Sequence, residues 1–368
     1  MNRVLWRFVA VVPHGIEIFL FPERIEAFAD ALMRDPQRAA HVRNIRFVHH
    51  VPNYFWVPPP STFPIEPTEQ VWASLEEALR LLIRVERVRL VIHEQFESSS
   101  PCRLVNILGN VFNQSCVTRL DARLSGRRLL SLCQAWPSLT TLSTGEMYGT
   151  PLAALSPGAL PKLRHVRSNI ASLLQVIPGR PIETVYNDEQ YKDNRGDALG
   201  RFNAIIQHCK TLRKARLHCI AESDDVLNFL PGFTHDNLRD LYLFVEFEDH
   251  GHVTPLIPSS IMQALPPGVL GGFPKLEFLQ VMLFDSLFLA HHIGSVDSKD
   301  LNAAAEALST FLGSEGHSTL NRIDIGFWGW AGQYQGGIRF IATRRGNLWD
   351  VGVVDRDWSM MPRFDDML

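Results

Sequence analysis

The chain has 368 residues, of which 46% are hydrophobic and 20% charged, with a formal net charge of −3. That balance belongs to a folded globular chain, and the length accommodates two or three ordinary domains or one elongated repeat array. The charge gives the molecule no field that would draw nucleic acid or an anionic membrane.

Further function classes are excluded by what the sequence lacks. No run of about 18 uncharged apolar residues offers a membrane-spanning helix. The apolar stretch from Val4 to Phe21 is interrupted by Arg7, His14 and Glu17, so it is not read as a signal peptide. Five cysteines, Cys102, Cys116, Cys133, Cys209 and Cys219, contain no C-x-x-C pair. Most are expected to be small buried side chains in a reducing cytoplasmic or nuclear compartment.

Taken in order, Leu5 to Val12 reads as a first strand. A helix follows over FPERIEAFADALMRDP, with Pro22 at its first position. Ile25, Phe28, Ala29 and Leu32 fall at i, i+3, i+4 and i+7, and Asp35-Pro36 ends the helix. After a strand at Val42 to Val48, the proline-rich segment 49–68 carries Tyr54, Phe55, Trp56 and Phe63. It is expected to be an extended surface loop whose aromatics either pin it down or form a partner-binding finger.

A helix from Glu69 to Arg84 is predicted next, with Thr68 as N-cap and an inward stripe of Val71, Leu75, Ala78, Leu79 and Leu82. Shorter helices are expected around 103–113, 127–136, 151–155, 170–177, 198–209 and 224–230. The connection 246–274 reads mostly as loop, whereas 284–319 contains a helix from Ser298 to Leu312. Beyond a strand at 320–325 comes the glycine- and aromatic-rich FWGWAGQYQGG. IRFIATRRGNLWDVGVV then reads as a β-hairpin turning at Arg345-Gly346-Asn347.

One spacing, apolar-x-x-apolar-x-apolar, recurs through this order. It starts at Val42, Val85, Val117, Leu139, Leu163, Ile182, Leu212, Leu238, Leu276 and Leu320, at intervals of 19 to 44 residues. Its last place is polar at Thr144, Ser168 and Asn187, which marks those units as degenerate. The fourth and sixth places share one strand face, and a lone unit cannot bury that face, so units must stack. The expectation is an α/β irregular leucine-rich-repeat solenoid, a horseshoe with a short parallel strand and a helix or loop per repeat. Residues 1–336 would form the solenoid, and residues 337–368 a hairpin cap and tail.

Places three, five and seven should then line the concave sheet. They supply Arg46, Arg87, Arg89, Arg119, Arg123, Arg167 and Arg216, together with Tyr186, Tyr242, Phe244 and Phe278. The same register puts Lys214, Asp240, Arg322 and Asp324 on that face. Arginine binds carboxylate and phosphate bidentately, so an acidic or phosphorylated protein segment is the expected partner, with the aromatics as anchors. An alternative is that a sheet face open to water is charged for solubility alone.

Chemistry is not signalled. His49-His50 and His291-His292 are adjacent pairs outside any metal-ligand spacing, and His93-Glu94 lacks a second histidine. No G-x-S-x-G, P-loop or dinucleotide fingerprint occurs. Asn187, Asp188, Glu189 and Asp193 lack the spacing of a calcium loop, and Cys116 reads as core rather than nucleophile. No enzyme, cofactor or metal is therefore expected.

The first fifty residues resemble a family. Leu5, Trp6 and Arg7, then Ile25, Phe28, Leu32 and Pro36, then His41, Val42, Arg43 and Ile45 resemble the segment just after the F-box in fungal F-box proteins. WPSLTTLSTG at 136–145 and FPKLEFLQV at 273–281 are similar to that family's repeat strands. The resemblance implies the substrate-receptor part of a ubiquitin-ligase adaptor. The F-box that would precede Leu5 is missing, so the Skp adaptor and cullin become partners only where an F-box is restored. Two other functions stay open: a free-standing scaffold, and a hydrolase with a dispersed, loop-borne site.

Overall fold

A computed structural model describes residues 11–12, 15–49, 66–92, 100–112, 116–144 (less 123 and 125), 155–187 (less 157), 198–221, 234–247, 258, 262, 268–284, 298–331 and 334–357. Most of the expected strand at Leu5–Val12, most of the proline-rich segment, nearly all of the helix expected at 151–155 and the whole helix expected at 224–230 lie outside them. The chain divides into two compact units, residues 1–182 and 183–368.

In the first unit β1 (Val11–Val12) pairs antiparallel with β2 (Gly15–Phe19). Helix α1 (Pro22–Arg34) begins at proline, whose fixed φ suits the first turn, and buries Ile25, Phe28, Ala29 and Leu32. It ends at Asp35, ahead of the single turn α2 (Pro36–Ala39). Then come β3 (Asn44–His49), α3 (Glu69–Arg80), β4 (Arg87–Ile92) and α4 (Ser100–Val111). β5 (Arg119–Ala122), α5 (Gly126–Ala135), β6 (Thr141–Ser143), β7 (His165–Ser168) and α6 (Ile170–Val176) complete the unit.

Strands β2 to β7 run parallel, each beside the next in sequence. Thr68 caps α3, its Oγ1 accepting from the Val71 N–H at 3.4 Å. That helix stops four residues before the predicted Arg84, in a turn that leaves Leu82 buried and Ile83 exposed.

The second unit repeats the plan. It comprises β8 (Thr184–Asn187), α7 (Ala198–His208), β9 (Lys214–Ala221), β10 (Asp240–Phe247), a 3-10 turn (Val269–Gly272), β11 (Phe278–Phe284) and α8 (Ser298–Glu315). β12 (Arg322–Ala331), β13 (Tyr334–Arg345) and β14 (Leu348–Asp357) follow. β8 to β12 are parallel, and β12, β13 and β14 then form an antiparallel meander. The predicted hairpin turns at Gly346-Asn347, with Gly346 at φ 64°, a conformation that favours glycine. FWGWA and YQGG are not a break before it: they are the far ends of β12 and β13.

All ten repeat starts are buried. Directly after eight of the ten starts, two successive N–H groups reach one carbonyl of the preceding repeat. Glu86 and Arg87 donate to Arg43 O, Thr118 and Arg119 to Glu86 O, Thr140 and Thr141 to Thr118 O, and Arg164 and His165 to Thr140 O. In the second unit Arg213 and Lys214 donate to Glu183 O, Arg239 and Asp240 to Arg213 O, Glu277 and Phe278 to Arg239 O, and Asn321 and Arg322 to Glu277 O. At those eight strands the shared carbonyl sets the strand in register with the one before it. A one-residue slip would carry the whole apolar set to the other face.

The polar last places are not weak copies. Thr144 and Ser168 are fully buried and hydrogen bond through their hydroxyls, and the Asn187 Nδ2 donates to His218 O at 2.9 Å. A buried polar group costs little once its partner is supplied.

Candidate functional site

Register puts the predicted face residues of each unit into rows that cross the strands. In the first unit one row runs Asn44, Arg87, Arg119, Thr141, His165. The next runs Glu17, Arg46, Arg89, Asp121, Ser143, Arg167. Arg123 lies outside the described residues.

Carboxylates thread these arginines. Arg46 meets Glu17 at 3.1 Å, and Asp121 is 3.1 Å from Arg89 Nε and 4.0 Å from Arg87. Two carboxylates against five arginines leave the described part of this face positive, although the whole chain is negative. Arg46 and Arg87 remain about 40% exposed.

The second unit builds a different surface on the same rows. Thr184, Lys214, Asp240, Phe278 and Arg322 align, as do Tyr186, Arg216, Tyr242, Gln280 and Asp324. Across β8 to β12 the side chains lean into one continuous belt. Lys214 Nζ stands 5.8 Å from the Tyr186 ring centre and 5.2 Å from that of Tyr242. The Tyr242 and Phe278 rings meet at 5.1 Å, and the Arg322 guanidinium lies 5.8 Å from Phe278. Cations over aromatic faces at these separations attract, and more so where water is partly excluded.

The belt's charges are tuned by burial. Desolvation alone would lower the Lys214 pKa. A hydrogen bond to Tyr186, with the charges of Tyr186, Tyr242 and Asp240, outweighs it and holds the ammonium above its usual range. Burial pushes the Tyr242 phenol up, against the pull of Lys214. Burial also raises the Asp240 carboxyl, with Lys214 opposing and Glu277 adding to the rise.

Two expectations are corrected here. Tyr186 was expected on an open face but is only 8% exposed, and every residue of β8 is buried. Asp324 is fully buried, held by Arg322 through two 3.1 Å bonds and by Arg339. Beside this belt, Phe244 packs edge-on to His218 at 4.6 Å. Met282 is buried over Gly326, where an added Cβ would come within 2.5 Å of its methyl carbon.

Sequence reasoning placed Lys214 and Arg322 on this face without singling them out. The signal was available: each is a cation at the third place with an aromatic beside it on a neighbouring strand.

Elsewhere, Cys133 and Cys209 are buried, and desolvation pushes both thiols up to about 12, far from a nucleophilic thiolate. Cys116, read as core, is exposed, as is Cys102. Among the described residues no three His, Cys, Asp or Glu side chains cluster as metal ligands, and no helix is long and apolar enough to cross a membrane.

No family model matches the chain, and no curated protein matches it. Among solved structures it is similar to a chain in the crystal structure of a Rad7 and Elc1 complex from yeast. That similarity has 9% identity and a TM-score of 0.30, over 71% of this chain and 73% of the other.

Proposed function

We propose that this chain recognises another protein through the strand faces of its units and performs no chemistry of its own. The observation that carries the reading is the row arrangement itself. Register gathers arginines from sequence-distant repeats onto one face of the first unit and cations with aromatics onto one face of the second, and arginine and aromatic side chains dominate the energetics of protein interfaces. The positive balance of the first unit's rows favours an acidic or phosphorylated segment as the partner. By its resemblance to the post-F-box region of fungal F-box proteins, the chain would act as a leucine-rich-repeat substrate receptor, and would meet a Skp adaptor and cullin through an F-box joined upstream of Leu5.

The test is affinity capture with quantitative mass spectrometry, comparing the natural chain with Arg89→Glu/Arg167→Glu and with Lys214→Glu/Arg216→Glu, each checked for folding by circular dichroism. Loss of the same specific partners in a folded variant supports recognition by that face. Unchanged capture by both variants sinks it. Fusing an F-box segment upstream addresses the ligase part separately: absence of Skp adaptor and cullin from that capture removes the receptor role and leaves a scaffold.

A further inference from the structure

The belt of the second unit has a length and a charge pattern that specify more than a generic acidic partner. Lys214 on β9 and Arg322 on β12 bracket Tyr242 and Phe278, on β10 and β11 between them. Three strand spacings of about 4.8 Å place the strand positions of the two cations about 14 Å apart. An extended peptide laid across the strands advances about 3.3 Å per residue, so about four residues span that distance. In such a peptide residues i, i+2 and i+4 point to the same side.

From this coincidence of length and period we infer that the second unit binds an extended peptide of the form acidic-x-apolar-x-acidic, with both acids in the ion-pairing positions and the apolar side chain on the Tyr242–Phe278 rings. The inference rests on the recognition reading above.

Opposing charges sharpen the pattern. Asp240 lies between Lys214 and Phe278 in the same row, and Glu277 acts on it electrostatically. An acid at the middle position would face those carboxylates, so the centre of the peptide must be apolar and a continuous acidic run is disfavoured. At the far end the charge of Arg322 survives its pairing, because the single Asp324 carboxylate is shared with Arg339. Asp324 also fixes the guanidinium plane by accepting from its Nε and Nη2, so Arg322 needs little reordering to receive a carboxylate at its remaining edge.

Fluorescence anisotropy of the full chain with labelled ten-residue peptides tests this without altering the protein. The series carries one central phenylalanine in a Gly/Ser background, with two glutamates separated by two to six positions. Binding is expected to be tightest at i and i+4, and about tenfold weaker when both glutamates become lysine or when the phenylalanine becomes glutamate. Lys214→Gln, with its melting temperature checked, is expected to abolish the preference for one of the two glutamates and retain the other.

Equal binding at all spacings, tolerance of lysine, or no binding by any peptide overturns the motif. The capture experiment with Lys214→Glu/Arg216→Glu separates the two levels. Partners lost there while the peptide series is flat leave recognition standing without this motif. Partners unchanged and peptides unbound remove both.

Discussion

The two units share one backbone device and use it for opposite surfaces. In both, paired N–H groups on a preceding carbonyl lock four strands to the strand before them. On that common frame the first unit mounts arginines threaded by Glu17 and Asp121, partly open to water. The second mounts Tyr186, Lys214, Tyr242, Phe278 and Arg322 in mutual contact. Strand register is set by the backbone and the buried places alone, so the outward places are free to differ. A repeat frame can therefore carry a salt-threaded arginine surface in one stretch and a half-buried cation–aromatic one in the next.

Among the described residues each unit also buries one arginine or carboxylate side chain, and these give the largest expected effects. Asp324 in the second unit is satisfied by two arginines. Asp324→Ala leaves both guanidinium groups without their anion and is expected to cost about 3 kcal/mol by urea unfolding. A loss under about 1 kcal/mol would mean that the pair is not structural.

Arg180 in the first unit has carbonyls as partners instead. Its Nε and NH2 groups donate at 2.8 Å to Ala159 O and Ser156 O, and its NH1 group donates to Val176 O and, at 3.2 Å, to Pro178 O. This stitches the 156–159 turn to the C-terminal end of α6, where a cation also meets the helix dipole favourably. Arg180→Ala is expected to cost about 2 kcal/mol, less than Asp324→Ala because the orphaned groups are uncharged. Reversal of that order by denaturant titration would break the comparison.

Next comes salt. Arg89→Gln removes a part-exposed pair with Asp121 and is expected to cost about 0.5 kcal/mol at low ionic strength and close to nothing at about 1 M salt. Lys214→Gln, at a half-buried site between two tyrosine rings, is expected to keep most of its cost at high salt. Parallel salt responses would show the two faces to be alike.

The smallest effect is that of Asp240. Its folded-state carboxyl is raised above the unfolded value, so the folded protein holds that proton more tightly. The associated stability is present at low pH and is lost as pH rises through the raised value. Asp240→Asn is therefore expected to leave the neutral-pH melting temperature unchanged or slightly higher, and to flatten its fall as pH rises above the ordinary carboxylate range. A lower melting temperature at neutral pH would mean that attraction to Lys214 outweighs burial.

Helix α1 was legible from its proline start and its apolar spacing, α3 from Thr68 and its inward stripe, and the strand series from one recurring pattern. β2 was not. GIEIF offers only Ile16 and Ile18 in alternation, and its assignment depends on pairing with β3 across the intervening α1. Thr144, Ser168 and Asn187 read as degenerate because polarity alone says nothing of whether a buried partner exists. The belt was half legible: its members fell on the right rows, but Lys214 leaning between two tyrosines is a matter of side-chain direction.

The sequence by itself determined which apolar places start each repeat and line the core and in what order the strands follow, because burial periodicity and repeat spacing are local properties of the chain. Tertiary structure alone decided which outward side chains touch, which of them lose water, and which buried charges find partners. Those outcomes depend on side chains brought together from repeats tens of residues apart, and no single repeat contains the information.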